Sequence, residues 1–494
     1  MASDLPAPAA RVDGGYLDCG GGLLLLIRRA IDPLERGQVL EVLSTEPSVG
    51  EDLPAWCRLT GNPLLDVAQD GPIRRFLVRR GGAAALVTVE PRAPVTQTPP
   101  APTPAAHAAT AVAPLSVMGI GSWPRPRWLL SALHDRLERR LDDAAFEATA
   151  DDAVRLAIAA QERAGADVVT DGEQRRDSYA SFIGARLDGA ELVPLTDLLP
   201  LVDRPEELEA AFRTLDVPAA AVRHPVVTAP LRRTRPIAAH ELAFARTLTT
   251  RPVKVALPGP YLLSRVLWLE CLTDRAYDTR AALCDDIVRV LREELNDLLA
   301  GGAALVQLDE PVLTEVVHGR AGHGRTFMCG ALAERGETSE ELGLARDLLA
   351  RVLDGLPADR LALHVCRGNW TPDEGAALTG DYRPLVELFS AVPVGTLCLE
   401  CCTPRAGELE VLRRVPDDRR IGVGVVNPKD PRVETEADVL ARARRAVELF
   451  GRERVLLVPD CGFATFADNP VAAAAVAEGK LAAMAAAARV LRAG

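Results

Sequence analysis

The sequence is short of aromatic residues, of excess positive charge and of long apolar runs, and each shortage excludes something. Aromatics are only 4% of the 494 residues while hydrophobic residues make up 48%, so the expected core is aliphatic and alanine-rich. A formal net charge of −12 argues against a nucleic-acid partner, because phosphate contacts need a basic surface. The early apolar run GGLLLLIRRAI is far too short to span a bilayer. The opening MASDLPAPAARVDGG lacks a basic region followed by an apolar one. The expectation is a cytoplasmic protein with no membrane partner. In that compartment its ten cysteines are reduced, metal-bound or catalytic rather than paired.

What is present divides into parts. The length exceeds one ordinary domain. From about Ala83 to Pro114 the chain turns rich in Pro, Ala and Thr, as in PRAPVTQTPPAPTPAAHAATAVAP. Such a stretch builds no core and favours extended conformations. It reads as a linker over 83–115, joining a small domain at 10–82 to a large one at 116–494. In the small domain LLLLIRRAIDPL and PSVGEDLPAWCRLTG read as helices, the second closed by Gly61, and VLEVLST as a strand. PLLDVAQ and IRRFLVRR read as two strands with a hairpin turn at Asp70-Gly71. This spacing predicts a small α+β domain.

The large domain alternates short apolar runs with helix-length segments: VMGIG, ADVVTDGE, VKVALPGP, ALVQLDEP, LALHVC, TLCLECC, RIGVGVV and RVLLVPDCG. Apolar strands separated by helices predict a parallel sheet covered on both faces. Eight such units predict an α/β fold, a (β/α)8 TIM barrel, with its longest insertion around 185–250. Function in such a barrel collects at the C-terminal ends of the strands. Those ends carry Ser122, Asp171-Gly172-Glu173, Pro258, Asp309-Glu310, His364, Cys366, Glu400, Asn427 and Cys461.

Four of these make a metal set. His364 and Cys366 are two apart and face one side of a strand. Glu400 ends the sixth run and Cys461 the eighth. Sulfur and nitrogen donors suit Zn2+. Structural zinc sites are usually compact CxxC-type knuckles, whereas this set spans three strands, so the expected role is catalytic. A thiol with a pKa of about 8–9 is mostly protonated at neutral pH, and zinc removes that proton. The expected chemistry is activation of a substrate thiol, with Glu400 the ligand that yields to it.

The large domain resembles the catalytic barrel of the cobalamin-independent methionine synthase family over most of 116–494. The matching pieces are GSWPRP at 121–126, TDGEQRR at 170–176, LPGPYLL at 257–263, QLDEP at 307–311, HVC at 364–366, LECC at 399–402, IGVGVV at 421–426 and PDCGFATF at 459–466. The resemblance implies zinc ligands at His364, Cys366, Glu400 and Cys461. It implies contacts to an amino-acid thiol from Ser122 with its neighbouring backbone, Glu173 and Asp309, the last also serving catalysis. Paired carboxylates suit an ammonium group, as in homocysteine. Arg125, Arg175 and Arg176 either hold an anionic substrate group or pair with nearby carboxylates.

The chain departs from the folate-dependent members in two ways. It has one barrel where they have two. After the seventh run it reads Asn427-Pro428-Lys429-Asp430, so Lys429 stands where those members have a proton-donating histidine. The methyl donor is therefore either a methyl-folate or a methyl-corrinoid, the latter brought by a corrinoid protein. Single-barrel relatives also include enzymes that add coenzyme M to epoxides.

The small domain resembles the TusA-like sulfur carriers through VDGGYLDCGGGLL at 12–24. The resemblance implies a reactive Cys19 at a helix N-terminus, where the dipole lowers a thiol's pKa. The family's Cys-Pro-x-Pro is here Cys19-Gly20-Gly21-Gly22. Cys57 reads as core. Three functions follow: methylation of homocysteine to methionine, delivery of Cys19 persulfide sulfur from a sulfur-donor protein to the zinc site, or a zinc-bound scaffold.

Overall fold

A computed structural model describes residues 6–17, 23–46, 49–81, 111–138, 140–194, 196, 223–268, 276–319, 336–368, 378–407, 409–465 and 472–493. The chain forms two compact units, Met1–Ala101 and Pro102–Gly494. Most of the linker expected at 83–115, and Cys19 with its three following glycines, lie outside the described residues. No helix among the described residues is long and apolar enough to cross a membrane.

The first unit has strands β1 (Ala10–Asp13), β2 (Val39–Ser44), β3 (Leu64–Asp70) and β4 (Ile73–Arg79). They lie in the order β1-β2-β4-β3, with β1 parallel to β2 and the other pairs antiparallel. Two helices, Leu24–Ile31 and Val49–Thr60, complete it. Every fourth residue of each helical segment is buried: Leu23, Ile27 and Ile31 on one, Val49, Leu53 and Cys57 on the other. These stripes meet Leu40, Val42, Phe76 and Val78 of the sheet. Cys57 is core, as its spacing implied. The hairpin turn sits one residue later than the sequence suggested. Asp70 still pairs with Ile73, and Gly71, at φ +59°, turns the chain together with Pro72, which has no N–H to give a ladder.

The second unit is the barrel. Strands β7 (Lys254–Pro258), β8 (Leu305–Asp309), β9 (Leu361–Val365), β10 (Thr396–Leu399), β11 (Arg420–Val426) and β12 (Val455–Pro459) run parallel in sequence order. Single parallel bridges close the ring: Val117 to Leu457, Met118 to Val168 and Val169 to Val253. The first two expected strands are thus reduced to bridges. Gly119, Gly121 and Pro124 follow the first, and Gly172 the second; these are poor strand formers. The long insertion contains the hairpin β5 (Asp188–Pro194) with β6 (Arg223–Arg232).

Alternation along each strand sets the inside and the outside. Leu361, Leu363 and Val365 of β9 belong to the large cluster packed with the helices. Ala362 belongs to a separate cluster with Met118, Ile120, Val168, Leu305, Cys398, Leu456 and Val458, which fills the lumen. His364 and Cys366 continue that inward row, so the period of two carries both to the barrel mouth.

Candidate functional site

Three of the expected ligands converge. The donor atoms of His364, Cys366 and Cys461 lie within 4.8 Å of one another. The two sulfurs are 3.7 Å apart. His364 Nδ1 donates to the Cys398 carbonyl at 3.0 Å, since a carbonyl only accepts. Nε2 is therefore left with its lone pair, buried and without a hydrogen-bond partner among the described residues. An unmet buried acceptor beside two sulfurs is what a metal ligand looks like before its ion is added. Cys461 donates to Cys366, and that hydrogen bond is the leading reason the Cys366 thiol is held well below its ordinary pKa. The same hydrogen bond, together with burial, holds the Cys461 thiol well above its own.

Glu400 stands apart from this group. Its Oε2 accepts from the Arg367 N–H at 2.7 Å and its Oε1 from Arg405 Nε at 2.8 Å. Burial, and then the neighbouring Asp460, raise its pKa well above the usual carboxylate range. Arg367 also donates to the Glu400 carbonyl at 3.2 Å and stacks over Tyr382 at 4.0 Å. Asp460 fixes the same loop: its Oδ1 accepts from the N–H groups of Cys401 and Cys402 at 2.8 and 2.9 Å. Sequence reasoning passed over Arg367, Arg405 and Asp460. The first and last are chain neighbours of expected ligands, which was the available signal.

Beside the sulfurs is a carboxylate pair. Asp309 ends β8 and is buried. Its Oδ1 accepts from Gln307 Nε2 at 2.6 Å, and Gln307 Oε1 accepts from the buried Lys254 Nζ at 2.9 Å. Lys254 thus fixes which way the Gln307 amide points, and with it the Asp309 carboxylate. Glu173 is held at φ +55°, a region non-glycine residues seldom adopt. Its backbone carbonyl accepts from Arg125 Nη2 at 2.7 Å. A side chain at Gly121 would collide with Glu173 Oε1, so glycine there makes room for the carboxylate. Glu173 Oε2 is buried and unpartnered among the described residues. Burial is the main reason its pKa is raised to about 7, with Asp309 and Asp171 adding to the shift and Arg176 opposing it.

Ser122 joins the first strand end to the last. Its Oγ accepts from the Ala464 N–H at 3.2 Å, and a Cβ on Gly462 would strike it. Trp123 meets Phe463 edge-on at 5.7 Å. Lys429 follows β11 and is buried. Burial and then Arg405 lower its pKa, while Glu400, Cys461 and Cys366 oppose this. Its Nζ makes no hydrogen bond among the described residues.

The three arginines are structural. Arg125 donates to the carbonyls of Glu173 and Arg176, both at 2.7 Å. Arg175 pairs with Glu147 at 2.7 Å and with Asp151. Arg176 pairs with Glu241 at 2.6 Å and reaches Glu173 Oε1 at 3.6 Å.

Comparison with known proteins identifies the family of the chain. The family described as the catalytic domain of cobalamin-independent synthase matches residues 115–335 and 377–489, about two thirds of the chain. The sulfurtransferase TusA family matches residues 22–80. The methionine synthase of Saccharolobus solfataricus is 25% identical over 69% of this chain and 86% of its own length. That of Thermococcus kodakarensis is 26% identical over 69% of this chain and 85% of its own. In fold, the chain resembles a B12-independent methionine synthase from Shewanella sp. W3-18-1 solved with selenomethionine, with TM-score 0.58, 23% identity and coverage of 77% of this chain and 98% of that one. A putative counterpart from Listeria monocytogenes gives TM-score 0.55 at 19% identity, over 77% of this chain and 98% of that one. The chain belongs to the cobalamin-independent methionine synthase family, as one methyltransferase barrel preceded by a TusA-type domain.

Proposed function

We propose that the barrel methylates the thiol of homocysteine at a zinc ion held by His364, Cys366 and Cys461. The observation that carries this is the convergence of one unmet imidazole nitrogen and two sulfurs. Tetrahedral zinc with Zn–S bonds of about 2.3 Å would set two sulfurs about 3.8 Å apart, and in this structure they stand 3.7 Å apart. When bound, zinc would lower the pKa of the substrate thiol so that its proton is lost to solvent, leaving a sulfur that stays nucleophilic at neutral pH.

The chain's own residues do the rest. The unpartnered oxygen of Glu173, with Asp309 beside it, offers negative charge for the substrate ammonium. Ser122 Oγ already accepts one hydrogen bond, so its O–H is free to donate to the substrate carboxylate. Glu400, anchored by Arg367 and Arg405, serves as a displaceable fourth ligand. X-ray absorption at the zinc edge tests the site. Homocysteine should add one sulfur to a shell that starts with two. An unchanged shell at saturating homocysteine would overturn the proposal.

Lys429 is assigned the proton that the nitrogen of a departing folate takes up, a proton that a methyl-corrinoid donor does not require. Its lowered pKa makes it a better acid than an ordinary lysine. Lys429→Met should lower kcat with a methyl-folate about 100-fold while zinc content and homocysteine affinity hold. Steady-state kinetics with each donor checks this, and an undiminished kcat with the folate would remove Lys429 from the mechanism.

A further inference from the structure

The barrel unit holds a cavity of about 410 Å³, a size typical of small-molecule sites. It is bordered by the hairpin strands β5 and β6, the helices Arg127–Leu137, Asp143–Ala164 and Ala239–Leu248, and the turn after Arg176. None of its lining residues is a proposed metal ligand or thiol contact.

Five arginines line it, and three are neutralised by carboxylates. Arg136 pairs with Asp143 at 2.8 Å, Arg175 with Glu147 at 2.7 Å, and Arg223 with Glu138 at 3.0 Å. Arg186 and Arg235 differ. Arg186 donates to the Pro236 carbonyl through Nε and Nη2 at 3.0 and 2.6 Å. Arg235 donates through Nη2 to the Ala185 carbonyl. Each guanidinium thus clasps the backbone next to the other, which brings two like charges together with no carboxylate bonded to either among the described residues. His240 Nδ1 lies 3.3 Å from Arg186 Nη2. Burial, then Arg186, push the His240 pKa down to about 4, so the imidazole is neutral and accepts. It supplies no compensating charge.

Donors remain. A guanidinium has five N–H groups, and Nη1 of Arg186 and Nε and Nη1 of Arg235 have no acceptor among the described residues. Two adjacent cations normally repel; Glu241 and Glu147 temper this from a distance, but each is hydrogen-bonded to another arginine, Arg176 and Arg175, and to neither of these two. An oxyanion between the two cations would offset their repulsion and would meet the spare donors in the planar geometry arginine favours.

We propose that Arg186 and Arg235 form a binding site, separate from the reactive centre, for a small multivalent oxyanion, a phosphate or a cluster of carboxylates. The anionic end of the ligand sits between the guanidiniums, and its body fills the cavity against Leu133, Leu137 and Phe182. The site stands whether or not the barrel methylates homocysteine.

Calorimetry on the full chain, titrated with inorganic phosphate and separately with citrate, tests it. At least one anion should bind with a dissociation constant of about 1 mM or tighter, weakening as salt rises. Which of the two binds tells phosphate from polycarboxylate. The double change Arg186→Gln with Arg235→Gln should weaken binding about tenfold or more. Arg235→Glu, at an exposed residue, should do the same while zinc content stays intact, which guards against misfolding of the double variant. Absence of binding by either anion, or equal affinity in Arg235→Glu and the parent, would overturn the assignment.

Discussion

Cys461→Ser should lose both its zinc and its methyl transfer while keeping its fold. A serine hydroxyl stays protonated at neutral pH and makes a poor zinc ligand, so one of the two sulfur donors disappears. Removing a ligand's orienting partner alone costs metal sites about 10–100-fold in affinity. Losing a ligand outright should cost more, leaving activity lower by roughly a thousandfold or more. The barrel should survive, because the core around β7 to β12 does not depend on Cys461. Three measurements check this together: zinc per chain, methionine formation from homocysteine, and the far-ultraviolet circular dichroism. Cobalt added in excess, to fill the weakened site, gives a finer reading, since the thiolate charge-transfer band per bound ion should be about half that of the parent with one of two thiolates left. A serine variant with full zinc and full activity would sink the zinc proposal.

Much of this site was legible in the sequence, for a definable reason. Each proposed ligand closes an apolar run, and the inside-outside alternation of a strand carries His364 and Cys366 to one place. The closing bridges were harder to see, because glycines and a proline cut the first two strands to single pairs. Strand β1 was missed within an Ala- and Pro-rich opening; its pairing with β2 depends on a partner about thirty residues away in the chain. The arginines show the same limit. Sequence left Arg125, Arg175 and Arg176 open between substrate and structure. The partners that decide it lie far off in sequence and share no local period with them: Glu147 and Asp151 for Arg175, Glu241 for Arg176, and the carbonyls of Glu173 and Arg176 for Arg125. Glu400 was correctly placed at a strand end. Its hold on Arg405 comes from a loop beyond β10, which spacing does not encode.

Glu173 is where burial and chemistry oppose each other most directly, and Glu173→Gln should show it. Moving a carboxyl group from 4.5 to about 7 amounts to roughly 3 kcal/mol against its charged form. The sign follows from the direction of the shift. A carboxyl group whose pKa is raised on folding contributes stability that is present below 4.5 and lost as pH rises through about 7. The ligand-free protein therefore sits at neutral pH with a partly charged, poorly compensated side chain. The homocysteine ammonium compensates the ionised form, so binding draws on the charge that folding disfavoured. Homocysteine affinity should thus fall as pH drops below about 7, by roughly tenfold per pH unit well below it. Glu173→Gln should raise the KM for homocysteine about 10–100-fold, the value of a hydrogen bond to a charged group, and flatten that dependence. Its zinc content should not change, which separates substrate capture from metal binding. The melting temperature supplies an independent reading: homocysteine should raise it in the parent near pH 8 and do so far less in the glutamine variant. If both proteins show the same pH profile for KM, Glu173 does not hold the ammonium.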